Sequence, residues 1–215
     1  TVEGEAIRFG LGAVKSVGRG LIRSMVSRRE EGGPFRSLED FIQRMGEGEL
    51  NKRAVENFIK CGAMDCFGHH RSELLAVYDP MMDSISSSRK KNLEGQMGLF
   101  AMLDDDDAAA AIPIPKLPEL TRAEMMTMEK ETTGVYITGH PLDDYRDTLR
   151  KLPFSTAQLE GIEEREDHGL EMDGMAVEMG GILTEVKSKA TKKGAYMGFI
   201  TIEDLTGQIE CLVFP

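Results

Sequence analysis

The chain has 215 residues, 40% of them hydrophobic, and a formal net charge of −11. This length and apolar content allow one to three small folded domains. No apolar run reaches the roughly eighteen residues of a membrane-spanning helix, and no basic and apolar leader opens the chain, so we expect a cytoplasmic protein without a membrane partner. An odd set of 3 cysteines favours free thiols over a disulfide framework.

The negative charge is unevenly distributed along the chain. Residues 1–78 are almost neutral, whereas the acidic excess lies mainly in residues 79–172. Local basic loops can therefore contact phosphate while the acidic remainder limits non-specific binding to nucleic acid. The chain begins without Met and stops after a strand-like run, which leads us to expect a part of a larger protein.

Residues 1–78 predict helices joined by short turns. Apolar residues recur at helical spacing within 21–31, and a Gly-Gly-Pro sequence follows that run. Ser37 and Asn51 are candidate N-caps of the next two helices. A fourth helical run begins within 72–78.

Glycine-rich turns precede the predicted helices at two places. Gly18-Arg19-Gly20 lies before the first helix, where glycine permits φ > 0 and lets the following amides approach a phosphate. A second hairpin at 61–68 has a similar position, and two such units would straddle one backbone of a duplex through sequence-independent contacts. The alternative is an ordinary turn between helices. The candidate phosphate contacts of the two hairpins are Lys15, Gly18, Arg19, Gly20, Lys52, Arg53 and Gly62.

Residues 79–118 have the composition of a flexible linker that ends in a proline-rich stretch with polyproline geometry. Within this segment, Gln96 is followed after two residues by Leu99 and Phe100. These two bulky apolar side chains have no visible local core, so the pattern predicts a linear docking motif. The alternative is that they pack locally.

Residues 119–172 predict a helical connector. Thr121 and Glu124 have the spacing of a capping box at the start of a helix, and residues 143–152 have a further helical pattern. His140 precedes a proline, where we expect a role in a turn and not in catalysis.

Residues 173–215 have the pattern of β-strands. Three runs at 175–186, 197–204 and 208–214 predict an antiparallel sheet, and three strands are too few to close a small barrel. We therefore expect the first strands of an oligonucleotide-binding fold, incomplete in this chain. The whole chain is predicted to be α+β, with a helical region, a linker containing a short helical segment, and a truncated barrel.

A lysine-rich loop is predicted between the first and second of these strands, where an oligonucleotide-binding barrel places its first binding loop. Tyr196 and Phe199 could offer stacking surfaces to bases. The alternative is a solvated loop with no ligand. The candidate contacts with nucleic acid are Lys187, Lys189, Lys192 and Lys193.

Metal and catalytic signals are weak. Cys61, Cys66, His69 and His70 lack the tight paired spacing typical of zinc sites, and packing explains both cysteines. The sequence contains no nucleophile elbow or phosphate-binding P-loop. We expect no catalytic residue, metal or cofactor in this segment.

Four sequence blocks in this order, with the Gln96 to Phe100 motif between them, resemble the C-terminal part of the bacterial DNA polymerase III alpha subunit. The similarity covers nearly the whole chain. The blocks are IRFGLGAVKSVG at 7–18, LNKRAVENFIKCGA at 50–63, GHPL at 139–142, and the stretch 194–215.

This resemblance implies a tandem helix-hairpin-helix region that grips duplex DNA and an oligonucleotide-binding fold that faces single-stranded template. It also implies docking on the sliding clamp through Gln96, Leu99 and Phe100, with other replisome subunits as partners. The family is a DNA-directed DNA polymerase, a nucleotidyltransferase, and its catalytic carboxylates and Mg²⁺ would belong to a domain before Thr1. Arg19 stands where the motif usually has an apolar residue, and the second hairpin lacks Gly-x-Gly.

Two other function classes fit parts of the sequence. A free-standing nucleic-acid-binding adaptor of repair or recombination would explain the hairpins and the barrel, but it leaves the Gln96 to Phe100 motif unexplained. An enzyme of nucleotide or tRNA metabolism should contain a phosphate loop or metal ligands.

Overall fold

A computed structural model divides the chain into two compact units, Thr1–Thr138 and Gly139–Pro215, here called the N-terminal and C-terminal units. Helices fill the first unit, and the second contains an open antiparallel sheet of three strands, consistent with a truncated barrel. The predicted α+β fold class is therefore confirmed. The structure describes residues 2–3, 6–7, 9–46, 48–93, 112–159, 172–192 and 194–215.

The N-terminal unit begins with a short antiparallel pair, β1 (Val2–Glu3) and β2 (Ala6–Ile7). A 3₁₀ turn at Leu11–Ala13 precedes the first helix, and another at Asp65–Phe67 lies between the third and fourth. The helices are α1 (Arg19–Gly32), α2 (Leu38–Arg44), α3 (Lys52–Lys60), α4 (Arg71–Leu93) and α5 (Arg122–Thr133).

Side-chain caps set the start of three helices. The side chains of Ser37 and Asn51 accept hydrogen bonds from backbone amides three residues ahead, at 3.1 and 2.8 Å. Thr121 and Glu124 form a reciprocal capping box at the start of α5. Each bond satisfies an amide that the helix itself leaves unpaired, so these predictions from sequence are confirmed.

The core of this unit is built around Phe41. Its ring meets Phe35 and Phe58 edge to face, with centroid separations of 5.1 and 6.3 Å. Such aromatic pairs add to the free energy gained by burying apolar area. The surrounding side chains that are also fully buried include Leu38, Met45, Val55, Ile59 and Leu74.

Helix α4 continues well beyond the predicted start of the linker at residue 79. Pro80 lies inside this helix, although proline removes a backbone donor and usually ends a helix. Met81 and Ile85 beyond it are buried in the core, and Arg89 donates to the carbonyl of Met45 at 3.1 Å. Tertiary packing thus overrides the local breaker, and residues 79–93 are helical.

The proline-rich end of the predicted linker, residues 112–118, packs on the N-terminal unit. Ile112 and Ile114 contact the core, and Ser72 Oγ donates to the carbonyl of Pro118 at 2.8 Å. The next residue, Glu119, accepts a hydrogen bond of 3.0 Å from the first amide of α4. This stretch is therefore docked on the start of α4.

The C-terminal unit has short helices followed by an open sheet in the order β3-β4-β5. Neighbouring strands are antiparallel, with a register shift between Leu183 and Glu185 in β3. The elements are a 3₁₀ turn (Asp143–Tyr145), α6 (Arg146–Leu149), α7 (Thr156–Leu159), β3 (Ile182–Ala190), β4 (Tyr196–Glu203) and β5 (Gln208–Val213).

A buried carboxylate joins α7 to the turn between β4 and β5. Asp204 accepts hydrogen bonds from Thr156 N at 2.7 Å, from Thr156 Oγ1 at 2.6 Å and from Thr206 N at 2.6 Å. Burial tends to raise the pKa of Asp204, but these bonds from Thr156 and Thr206 outweigh it and lower the pKa from 3.8 to about 2. The ionised carboxylate therefore holds α7 against the sheet.

His140 lies in a turn, as predicted. Its Nδ1 accepts a hydrogen bond from the amide of Leu142 at 3.1 Å, and its own amide donates to Asp143 Oδ2 at 2.8 Å. Nε2 is 3.7 Å from Glu203 Oε1 on β4. The GHPL block thus connects the start of this unit to the sheet.

Candidate nucleic-acid interface

The first hairpin, defined here as residues 14–18, is held on both sides of Lys15. The Lys15 amide donates to the carbonyl of Thr132 at the end of α5 at 2.8 Å, and Asn57 Nδ2 on α3 donates to the carbonyl of Lys15 at 2.6 Å. Val14 is buried beneath this loop, whereas the Lys15 side chain is exposed. The backbone is therefore fixed by two helices while the cation faces solvent.

The conformational reason given for the hairpin glycines is wrong. Gly18 is the N-cap of α1 with φ −81° and ψ 155°, and Gly20 lies within the helix. The left-handed residue of this hairpin is Ser16, with φ 64°. A Cβ added at Gly18 or Gly20 would meet nothing within 4 Å, so both glycines leave open space at the start of α1.

The first turn of α1 is favourable for an anion. It contains no acidic residue, and Gly18 supplies no side-chain cap for the unpaired amides. Arg19 and Arg23 are exposed and lie one helical turn apart. Within the described residues, neither they nor Lys15 form an ion pair. Sequence reasoning missed Arg23, which its spacing of four residues from Arg19 could have revealed.

The second hairpin, residues 61–68, follows α3. Gly62 has φ 80°, and a Cβ there would lie 2.9 Å from both Arg71 Cζ and Asp65 Oδ2. The structure thus requires glycine at this position for the turn and for packing. Contact of Gly62 with DNA stays a prediction.

Arg71, the first residue of α4, is buried and cannot meet a phosphate. Its side chain is 3% exposed and forms ion pairs with Asp65 at 2.8 Å and with Glu129 at 2.9 Å. Glu129 is 0% exposed, and its other oxygen accepts hydrogen bonds from the amides of Ile137 at 2.8 Å and Thr138 at 2.9 Å. Sequence reasoning grouped Arg71 with the hairpin cations and missed this internal network.

The two cations at the start of α3 differ in their surroundings. Lys52 Nζ is 2.5 Å from Asp79 Oδ1 and 2.7 Å from Asp83 Oδ1, both on α4. Hydrogen bonding to Asp79 and Asp83 raises the pKa of Lys52. Arg53 is exposed and forms no ion pair with any residue that the structure describes.

The lysines of the C-terminal unit do not share one loop. Lys187 and Lys189 lie in β3, which continues to Ala190, so their predicted loop position is wrong. Lys192 is exposed in the turn before β4, and Lys193 lies outside the described residues.

The two candidate stacking aromatics lie on opposite faces of the sheet, since they are three residues apart on β4. Phe199 pairs with Lys187 across the strands, and Tyr196 pairs with Ala190. The Tyr196 side chain is exposed. One surface therefore cannot use both rings together.

The remaining candidates are separated or undescribed. Cys61 is buried and donates to the carbonyl of Phe58, whereas Cys66 is exposed. No metal-binding group of three or more His, Cys, Asp or Glu side chains occurs in the part of the chain that was described. The docking residues Gln96, Leu99 and Phe100 lie outside the described residues.

No described helix is both long enough and apolar enough to span a membrane. Residues 1–74 match the family model of the helix-hairpin-helix motif. This match includes both hairpins and the helices that follow α1 up to the first turn of α4.

Curated relatives give a consistent result. The chain is 40% identical to the DNA polymerase III subunit alpha of Thermus aquaticus over 99% of its own length and 16% of the relative. The identity is 37% to the Chlamydia pneumoniae subunit, over 90% of this chain and 15% of the relative. It is 35% to that of Aquifex aeolicus, over 100% and 16%. The chain thus spans about one sixth of the relatives' length, and the resemblance inferred from the sequence blocks is confirmed: this chain is similar, along nearly all of its length, to part of the bacterial DNA polymerase III alpha subunits.

Proposed function

We propose that this chain is a non-catalytic segment of a replicative DNA polymerase that holds duplex DNA through its first hairpin. The carrying observation is the cluster of exposed Lys15, Arg19 and Arg23 around the open N-terminus of α1. The match to the helix-hairpin-helix motif supports this assignment. In this proposal the contacts are made with phosphates, so they do not depend on base sequence.

The similarity to polymerase subunits favours this function over a free-standing repair adaptor. Polymerase activity and its Mg²⁺ ions would then belong to a catalytic domain outside this segment. Contact with single-stranded template would involve the sheet of the C-terminal unit, with Lys187, Lys189, Lys192 and Lys193 as candidates. Other replisome subunits would be further partners.

The Lys15→Ala, Arg19→Ala, Arg23→Ala variant should bind duplex DNA at least about tenfold more weakly at low salt. The slope of log K against log salt should also become shallower by about 2 to 3, because each phosphate contact contributes about 0.9. Fluorescence anisotropy with two duplexes of unrelated sequence measures both quantities.

A variant with the same change in charge is the control for this experiment. Arg28, Arg36 and Arg150 are exposed arginines outside the first hairpin, and their replacement by Ala should change affinity less. Equal losses in both variants would show that only net charge matters. A wild-type chain that does not bind duplex DNA would contradict the proposed function itself.

Clamp docking is the second part of the proposal. Burying one Leu and one Phe contributes about 3 to 6 kcal/mol before entropy costs, so the isolated contact should be weak. When the hairpin holds DNA that threads the clamp, the effective concentration can reach roughly millimolar, and a weak contact then gives processivity. Gln96 would complete the contact.

The Leu99→Ala, Phe100→Ala variant should lose binding to a bacterial sliding clamp while keeping duplex affinity. Surface plasmon resonance against immobilised clamp measures this loss. The adjacent Met102→Ala, Leu103→Ala variant removes similar apolar surface and should bind like the wild type. Clamp affinity that survives in the first variant would refute this part of the proposal.

A further inference from the structure

The two hairpin units differ in the state of their cations. In the second unit, Lys52 is paired with Asp79 and Asp83, and Lys60 Nζ lies 2.7 Å from Glu56 Oε1. By contrast, the cations of the first hairpin form no ion pair with a described residue. The two units therefore present different electrostatic surfaces to a phosphate backbone.

The acidic pair is placed by the packing of α4. Asp79 and Asp83 are four residues apart, so they lie on one face of the helix. Val77 and Met81 between and beside them are buried, which fixes that face relative to the start of α3. Both carboxylates thus reach the ammonium of Lys52.

The cluster remains accessible from solvent. The side chains of Lys52, Asp79 and Asp83 are 46%, 54% and 65% exposed, respectively. A phosphate could reach Lys52 without any rearrangement of the core. Because exposed ion pairs contribute little free energy, a polyanion can displace the carboxylates.

We propose that Asp79 and Asp83 act as an internal competitor for phosphate at Lys52, and so restrain the second hairpin unit from binding duplex DNA. This inference rests on the proposed function. Without the acidic pair, Lys52 and the exposed Arg53 would form a second phosphate contact at the N-terminus of α3. With it, the first hairpin supplies most of the affinity, and the second unit engages only when phosphate replaces the two carboxylates.

The Asp79→Asn, Asp83→Asn variant tests this proposal, since Asn keeps the shape and removes the charge. In the full 215-residue chain, we expect it to bind duplex DNA about three to ten times more tightly at low salt. The slope of log K against log salt should steepen by about 0.9, the value for one additional phosphate contact. Adding Lys52→Gln should remove both gains.

The matched control is Glu30→Gln with Asp144→Asn. These exposed carboxylates form no ion pair with any residue in the described ranges, and their loss changes net charge by the same amount. An equal gain in affinity in this control, or a gain that persists after Lys52→Gln, would overturn the proposal.

Failure of this inference differs from failure of the proposed function. If the wild type binds duplex DNA through the first hairpin and the Asn variant binds no better than the control, only the competitor proposal fails. If neither the wild type nor the Asn variant binds, both proposals fail. Binding by the Asn variant alone would support the restraint and show that it is nearly complete.

Discussion

Replacing Glu129 with Ala should lower the free energy of unfolding of the N-terminal unit by about 3 to 5 kcal/mol. Glu129 is fully buried, and one of its oxygens pairs with Arg71. Its removal leaves the guanidinium with Asp65 alone in a site without water. It also leaves the amides of Ile137 and Thr138 without their acceptor.

Hydrogen exchange with peptide-level mass spectrometry, performed across a urea series, separates the two units and measures this loss. Protection should fall in α4 and α5, while the strands of the C-terminal unit keep theirs. Glu131→Ala on the same helix is the control, since Glu131 is exposed. Similar protection in both variants would mean that the buried ion pair is not a major source of stability.

The Gly62→Ala substitution should destabilise the N-terminal unit by about 2 to 3 kcal/mol. One part of this cost is the left-handed backbone at φ 80°, which an L-residue adopts poorly. The other part is the collision of the new methyl group with the guanidinium of Arg71 and the carboxylate of Asp65. These two groups cannot move apart without weakening the pair with Glu129.

Gly68→Ala is the matched control for this substitution. Gly68 has φ 73°, but a Cβ there would meet nothing within 4 Å. The difference between the two variants in urea denaturation therefore isolates the collision with Arg71. If both variants lose the same stability, the collision is relieved at no cost and Gly62 is required only for its backbone conformation.

The same pair of variants tests the predicted role of Gly62 in DNA binding. At a temperature where both chains are folded, a purely structural role leaves the duplex affinity of Gly62→Ala unchanged. A large loss of affinity in the folded variant would instead support direct approach of a phosphate to this turn.

Local signals in the sequence were sufficient for several elements. Ser37, Asn51 and the Thr121–Glu124 pair set helix starts through hydrogen bonds that span only three residues, so neighbouring residues determine them. The strand pattern and the order of the sequence blocks likewise predicted the fold class and the resemblance to the polymerase subunit.

Long-range packing was decisive where the local signal pointed elsewhere. Pro80 indicated the end of a helix, yet burial of Met81 and Ile85 keeps α4 helical. The loop expected around Lys187 and Lys189 is part of β3 because pairing with β4 extends that strand to Ala190.

The sequence by itself determined which residues could carry charge, cap a helix or alternate in a strand. Only the tertiary structure decided which cations face solvent. Arg71 and Arg19 are the same residue type, but Arg71 is buried against Glu129, 58 residues away, whereas Arg19 is exposed. Lys52 meets Asp79 and Asp83 because α3 and α4 pack together. The physical reason is that the electrostatic environment of a side chain depends on distances in space, which are set by the packing of residues far apart in the chain.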